Sequence, residues 1–320
     1  MSEPDVLCLG ESMAMFVPAD PGPAAEATVW HRATGGAESN VACHVAALGL
    51  RSAWVSAVGD DALGTAVVSS VASFGVDVSR VAVDPDRPTG LYVKERDASG
   101  SPVRYYRRGS AASGMGPALL DDLALDGVRV VHTSGITPAL SDSCHALMDR
   151  LTRLPRTFTL SFDLNWRPGL WTGRDPAVLL DHAAAADVVF VGADEAALVW
   201  GTGEPAEIRG LLPGPAALVV KQGAAGATLI EGDEVVFQPA LRVDVVEPVG
   251  AGDAFAAGYL CAALAGWPPR RRLRAGHLRA ASALRTHHDV GPSLPPQYVS
   301  ALLDATAAEW AAAHVTGELP

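Results

Sequence analysis

Short apolar runs recur along the chain, each closed by a turn residue and followed by a helical stretch. Val6-Leu7-Cys8-Leu9 ends at Gly10 and reads as a buried first strand. Residues 53–58, 128–132, 157–162, 188–191 and 217–220 repeat that signature. Between them, the helical pattern of 39–48 stops at Gly49 and that of 65–74 stops at Gly75; 141–151 opens on a serine cap and 175–186 on Asp-Pro. Strands alternating with helices of this length predict an α/β fold, a doubly wound, mostly parallel central sheet flanked by helices.

Two segments, at about 13–32 and 88–108, break the alternation. Leu91-Tyr92-Val93-Lys94-Glu95 and Pro102-Val103-Arg104-Tyr105-Tyr106 show period-two patterning around the turn signal Asp97-Ala98-Ser99-Gly100. They predict antiparallel strands projecting from the main sheet as a small lid, which would cover a pocket or pair with a second subunit. No internal repeat or long linker divides the chain, so residues 1–315 are expected to form one domain followed by a short tail at 316–320.

Composition narrows the class. Of the 320 residues, 49% are apolar, enough for a large core, yet no stretch approaches the run of about 20 apolar residues that a membrane span requires. The acidic start Met1-Ser2-Glu3-Pro4-Asp5 is the reverse of a secretory signal, and a cytoplasmic location is expected. Cys8, Cys43, Cys144 and Cys261 stand singly among apolar neighbours and read as reduced thiols. A net charge of −12 argues against a nucleic-acid partner, so any anionic ligand must meet a locally basic pocket. Arg270-Arg271-Arg272-Leu273-Arg274, after Pro268-Pro269, reads as the solvated start of a helix.

The sharpest chemical signal lies at 243–258, where a β-like stretch enters Gly250-Ala251-Gly252-Asp253 and a helix starts at or just after Asp253. Such a turn leaves the amides of Ala251, Gly252 and Asp253 free to hold an anion at a helix N-terminus. The Asp253 carboxylate then either caps the helix or takes a proton from an attacking hydroxyl. No Gly-Lys-Ser/Thr follows, and Gly10-Glu11-Ser12 lacks the dinucleotide fingerprint, which excludes a Walker-type loop and disfavours a nicotinamide enzyme.

Gly250-Ala251-Gly252-Asp253-Ala254-Phe255, together with Gly35-Gly36-Ala37-Glu38-Ser39-Asn40-Val41-Ala42, resembles the two signatures of the ribokinase-like (PfkB) sugar kinases. The similarity spans nearly the whole chain, including Val58-Gly59-Asp60-Asp61 and Gly64. It implies an ATP- and Mg²⁺-dependent phosphotransferase in which Asp253 activates a sugar hydroxyl and Gly250, Ala251 and Gly252 stabilise the transferring phosphoryl group. It also implies sugar contacts from Gly35, Gly36, Ala37, Glu38, Ser39 and Asn40.

Arg104-Tyr105-Tyr106-Arg107 resembles the lid segment of the family's sugar-acid branch, the 2-keto-3-deoxygluconate kinases. The resemblance implies that Arg107 forks a carboxylate while Tyr92, Tyr105 and Tyr106 line the carbon chain. A solvated strand pair with packed tyrosines is the structural alternative. Asp163-Leu164-Asn165-Trp166-Arg167 falls at a strand's carboxyl end, where open parallel sheets bind ligands; by resemblance Asn165 and Arg167 contact phosphate or substrate. Lys221-Gln222-Gly223-Ala224-Ala225-Gly226 resembles the family's nucleotide-lining segment, although a tight turn would use the same glycines.

Three positions depart from the pattern. Gly192-Ala193-Asp194-Glu195 keeps Glu195, a candidate for indirect Mg²⁺ contact, but lacks the family's Asn; Glu247 stands where an Asp is usual; and Asp289 is an ambiguous candidate for a further sugar contact, beside His287 and His288. The implied reaction phosphorylates 2-keto-3-deoxygluconate at its terminal hydroxyl, with lid closure excluding water. A homo-oligomer paired through the lid strands is expected. A fructokinase, ribokinase or nucleoside kinase, and more remotely a catalytically silent sugar-binding regulator, share the fold signal.

Overall fold

The apolar runs do become strands. In the computed structural model, which describes residues 3–20, 23–94 and 103–316, the strands of the two larger sheets, in chain order, are β1 (Val6–Leu9), β2 (Met13–Pro18), β3 (Trp30–Gly35), β4 (Ser52–Gly59), β5 (Val81–Asp84), β6 (Leu91–Lys94), β7 (Val103–Tyr106), β8 (Val130–Ser134), β9 (Thr159–Asp163), β10 (Val188–Gly192), β11 (Ala217–Lys221), β12 (Gly226–Glu231) and β13 (Glu234–Pro239). The helices that position the site are α1 (Ala37–Ala47), α2 (Ala62–Ser73), α3 (Asp142–Arg153), α4 (Val178–Ala184), α5 (Ala193–Trp200), α6 (Pro205–Leu211), α7 (Ala251–Leu264) and α8 (Pro269–Ala283).

Nine strands form the central sheet in the order β13-β12-β11-β10-β9-β8-β1-β4-β5. Pairing is parallel from β5 to β11, and β12 and β13 add an antiparallel edge. Alternation along each strand feeds two cores. Leu7, Leu9, Leu160, Phe162 and Val189 meet Leu147 and Leu151 of α3 on one face. On the other, Val6, Cys8, Trp54 and Phe190 meet Val41 and Val45 of α1 and Tyr259 of α7.

Helix sequences match these environments. α3 buries Cys144, Leu147, Met148 and Leu151 at helical spacing, and the Ser141 hydroxyl caps it by accepting from the Cys144 amide at 3.0 Å. α7 is apolar on every side and buried from Asp253 through Leu260, as a helix enclosed between α1, α8 and the sheet must be. It begins at Ala251, two residues before the predicted start.

The second sheet, β3-β2-β6-β7, is the lid. β2/β3 and β6/β7 are antiparallel as predicted, but β2 and β6 run parallel, so the two hairpin-like segments join by a parallel seam. The turn signal at 97–100 lies outside the described residues. The arginine run opening α8 is less solvated than expected: Arg272 binds Glu231, while Arg274 is buried over Trp310 and donates to the Ala305 carbonyl at 2.6 Å. All four cysteines are free thiols. Among the described residues no helix is long and apolar enough to cross a membrane.

Candidate active site

A cavity of about 980 Å³ opens beyond the carboxyl ends of the parallel strands, between the lid sheet and the start of α7. Asp253 is part of its wall. The N-cap of α7 is Gly250, in left-handed backbone at φ 82°, so Asp253 sits inside the first turn and is not the capping residue. Gly250 has a second constraint, since a Cβ there would lie 2.9 Å from the Asp289 carbonyl oxygen. The Ala251 amide makes a long 3.4 Å bond to the Pro248 carbonyl; those of Gly252 and Asp253 meet no acceptor among the described residues. They leave free donors at the N-terminus of a buried helix, an arrangement able to hold an anion.

Side-chain amides converge on the carboxylate. Asn40 Nδ2 donates to Asp253 Oδ2 at 2.8 Å and to Asp289 Oδ2 at 3.3 Å, tying two acids together. Asn165 Nδ2 donates to Asp253 Oδ1 at 3.4 Å from a left-handed backbone position, φ 42°, and its own Oδ1 is buried without a partner among the described residues. Burial, reinforced by the negative charges of Asp163 and Asp289 and opposed by the Asn40 bond, pushes the Asp253 pKa up to about 7. Burial also raises the Asp289 carboxyl, whose Oδ1 likewise lacks a partner.

Much of the predicted constellation converges here. Gly35, Gly36, Ala37, Asn40, Tyr92, Tyr105, Arg107, Asn165, Arg167, Glu195, Lys221, Gly223, Gly226, Gly250, Ala251, Gly252 and Asp289 all line the cavity. Tyr92 fits because Gly35 has no side chain; a Cβ there would lie 2.1 Å from the Tyr92 hydroxyl. Gly223 and Gly226 flank the tight β11–β12 turn, so the structural reading of those glycines holds alongside their place in the wall.

Three predicted sugar contacts point elsewhere. Along α1, Ala37 and Asn40 share the cavity face by their three-residue spacing, whereas Glu38 and Ser39 rotate into the protein. Glu38 Oε1 accepts from Ser134 at 2.6 Å and Thr137 at 3.1 Å, and Ser39 donates to the Ser12 hydroxyl at 2.9 Å. Tyr106 faces outward from β7, 61% exposed, because strand alternation turns it away from the cavity side taken by Tyr105.

Four cations of the cavity wall, Arg107, Lys221, Lys94 and Arg167, pair with acids. Arg107 binds the buried carboxylate of Glu11, with Nε to Oε2 at 2.5 Å and Nη2 on the same oxygen, so the free carboxylate fork expected of Arg107 is half used. Lys221 donates to both Asp163 oxygens, at 3.0 and 2.7 Å; burial works against the ammonium, but Asp163 and Glu195 outweigh it and raise its pKa. Lys94 of the lid binds Glu247, just ahead of the glycine turn. Arg167 is the loosest, 3.7 Å from Glu195 and partly exposed. Glu195 accepts from the Gly192 and Trp166 amides, each at 3.0 Å, so both oxygens are engaged and a divalent ion would meet it through water.

Sequence reasoning missed Glu11, Lys94 and the role of Asp163. Glu11 could have been found from its place directly after the β1 run, at a strand's carboxyl end. The partners of Lys94 and Asp163 are set by tertiary contacts that no local pattern encodes.

The model of the pfkB family of carbohydrate kinases matches residues 3–296. The chain is 37% identical over 297 residues, 89% of its length and 91% of the relative's, to the 2-dehydro-3-deoxygluconokinase of Bacillus subtilis (strain 168). It is 32% identical over 304 residues, 92% of its length and 95% of the relative's, to the 2-dehydro-3-deoxygalactonokinase of Haloferax volcanii. The solved structure of a putative ribokinase II from E. coli in complex with ATP and Mg²⁺ overlays 94% of this chain and 98% of its own at a TM-score of 0.81 with 21% identity, a likeness of fold.

Proposed function

The chain belongs to the pfkB family of carbohydrate kinases, which transfer a phosphoryl group to a sugar hydroxyl, and on that premise we propose that it phosphorylates 2-keto-3-deoxygluconate at its terminal hydroxyl with Asp253 as general base. The observation that carries this reading is a buried carboxylate with a pKa of about 7, set beside unpaired helix amides in a cavity that three arginines, Arg107, Arg167 and Arg242, also line. Asp253 accepts the hydroxyl proton, and Asn40 holds the carboxylate toward the acceptor. The Gly252 and Asp253 amides and the adjacent Lys221 meet the charge of the transferring group.

The glycine-lined strip at Gly223 and Gly226, continuous with the α7 amides, fits a triphosphate approaching closely, and Asp194 and Glu195 fit an ion held through water. Bound MgATP supplies the phosphoryl group. The substrate carboxylate is assigned to Arg107 Nη1 together with Arg167, with Tyr92 and Tyr105 along the carbon chain. This shares the load that the sequence had placed on Arg107 alone.

The deciding assay couples ADP release to 2-keto-3-deoxygluconate, 2-keto-3-deoxygalactonate, fructose and ribose. The two sugar acids are expected to give the highest kcat/KM. A higher value with fructose or ribose overturns the assignment.

A pH profile tests the base. A base must be unprotonated to act, and the Asp253 pKa is raised, so the active form is lost as pH falls through about 7. Below that point kcat/KM is expected to drop by about tenfold per pH unit and above it to level off. A flat profile from about pH 5 to 8 would remove Asp253 from proton transfer.

A further inference from the structure

Three ligand-type side chains meet outside the active-site cavity, none of them part of its lining. His145 and Asp149 sit one turn apart on α3, sharing a face. His182 of α4 approaches from the opposite side and is almost fully buried. His182 Nε2 lies 3.0 Å from Asp149 Oδ1, and His145 Nε2 lies 3.6 Å from the same oxygen. One ligand atom from each residue falls within 4.8 Å of the other two.

We propose that His145, Asp149 and His182 bind a divalent transition-metal ion, zinc by donor preference, that staples α3 to α4. Zinc bonds of about 2.0–2.1 Å in a tetrahedron put ligand atoms about 3.3 Å apart. The two spacings to Asp149 bracket that value. His145 is partly exposed and has room to close the third side. Two imidazoles and one carboxylate select zinc over Mg²⁺ or Ca²⁺, which take oxygen donors, so this ion is chemically distinct from the one that accompanies ATP. A fourth position faces solvent, beside the exposed edges of His145 and Asp149.

The surroundings leave these groups available. The other cation near Asp149 is Arg153, 3.8 Å away on a side chain that is 78% exposed, a contact worth little in water. His182 Nδ1 is buried and unpartnered among the described residues, and Phe162 packs near the ring. Nε2, 3.0 Å from Asp149 Oδ1, is the nitrogen that a metal bond would take, in place of that hydrogen bond.

The test uses the untagged full chain, stripped of metal and free of nucleotide, titrated with Co²⁺ alone. Expected are the visible bands of a tetrahedral nitrogen–oxygen site, saturating at a single equivalent, without the intense thiolate band that cysteine binding would give. Zn²⁺ should displace the Co²⁺ and raise Tm. His145→Ala changes a partly exposed side chain and should fold, and it should weaken binding at least about tenfold, with Asp149→Asn doing the same. Absence of saturable binding, a thiolate band, or wild-type affinity in His145→Ala overturns the site.

Discussion

Asp253→Asn is expected to lower kcat by at least about 10²-fold while nucleotide affinity stays near that of the unsubstituted protein. The substitution keeps the volume, the helix position and an oxygen able to accept from Asn40 Nδ2, now 2.8 Å from Asp253 Oδ2. It removes the one property required of a base, a lone pair basic enough to take the hydroxyl proton. Helix stability should change little, since Gly250 is the N-cap and Asp253 makes no capping bond. Single-turnover kinetics with saturating nucleotide read the effect on the chemical step. Turnover within a few fold of normal would leave Asp253 as a structural acid.

Arg107→Ala should have two separable effects. Glu11 is wholly buried, and although Ser110 donates to its Oε1 at 2.5 Å, loss of the guanidinium strands its charge. Breaking one side of a buried pair costs roughly 3–5 kcal/mol of stability. KM for the sugar acid should rise as well, by about 1.5–3 kcal/mol in binding terms, the range for a lost charge-assisted contact. Adding Glu11→Gln removes the stranded charge, so the double substitution should regain most of the stability seen in urea unfolding while KM remains high. Recovery of both would reduce Arg107 to the partner of Glu11; recovery of neither would point to collapse of the lid.

The strand framework was legible because buried parallel strands are apolar runs of limited length, and β1, β10 and β11 appear within a residue of their predicted bounds. The start of α7 was not. Gly-Ala-Gly-Asp reads as a turn with the helix starting at or just after Asp253, yet the helix begins at Ala251. The parallel seam between β2 and β6 joins segments about 75 residues apart, beyond the reach of any local signal. Within the site, motif residues identify the neighbourhood but not the facing. Helical phase turned Glu38 inward and strand phase turned Tyr106 outward, and both depend on where the element begins.

The pairing of the cavity's cations bears on how ligands arrive. Arg107 with Glu11, Lys221 with Asp163 and Lys94 with Glu247 cancel at short range, and the remaining acids stand on a chain of net charge −12. Anionic ligands are therefore not drawn in from a distance. Added salt is expected to screen repulsion, the opposite of its effect on a basic phosphate-binding patch. A ligand's negative charge is then expected to count inside the cavity, where Arg167 and the α7 amides stand, more than on the approach to it.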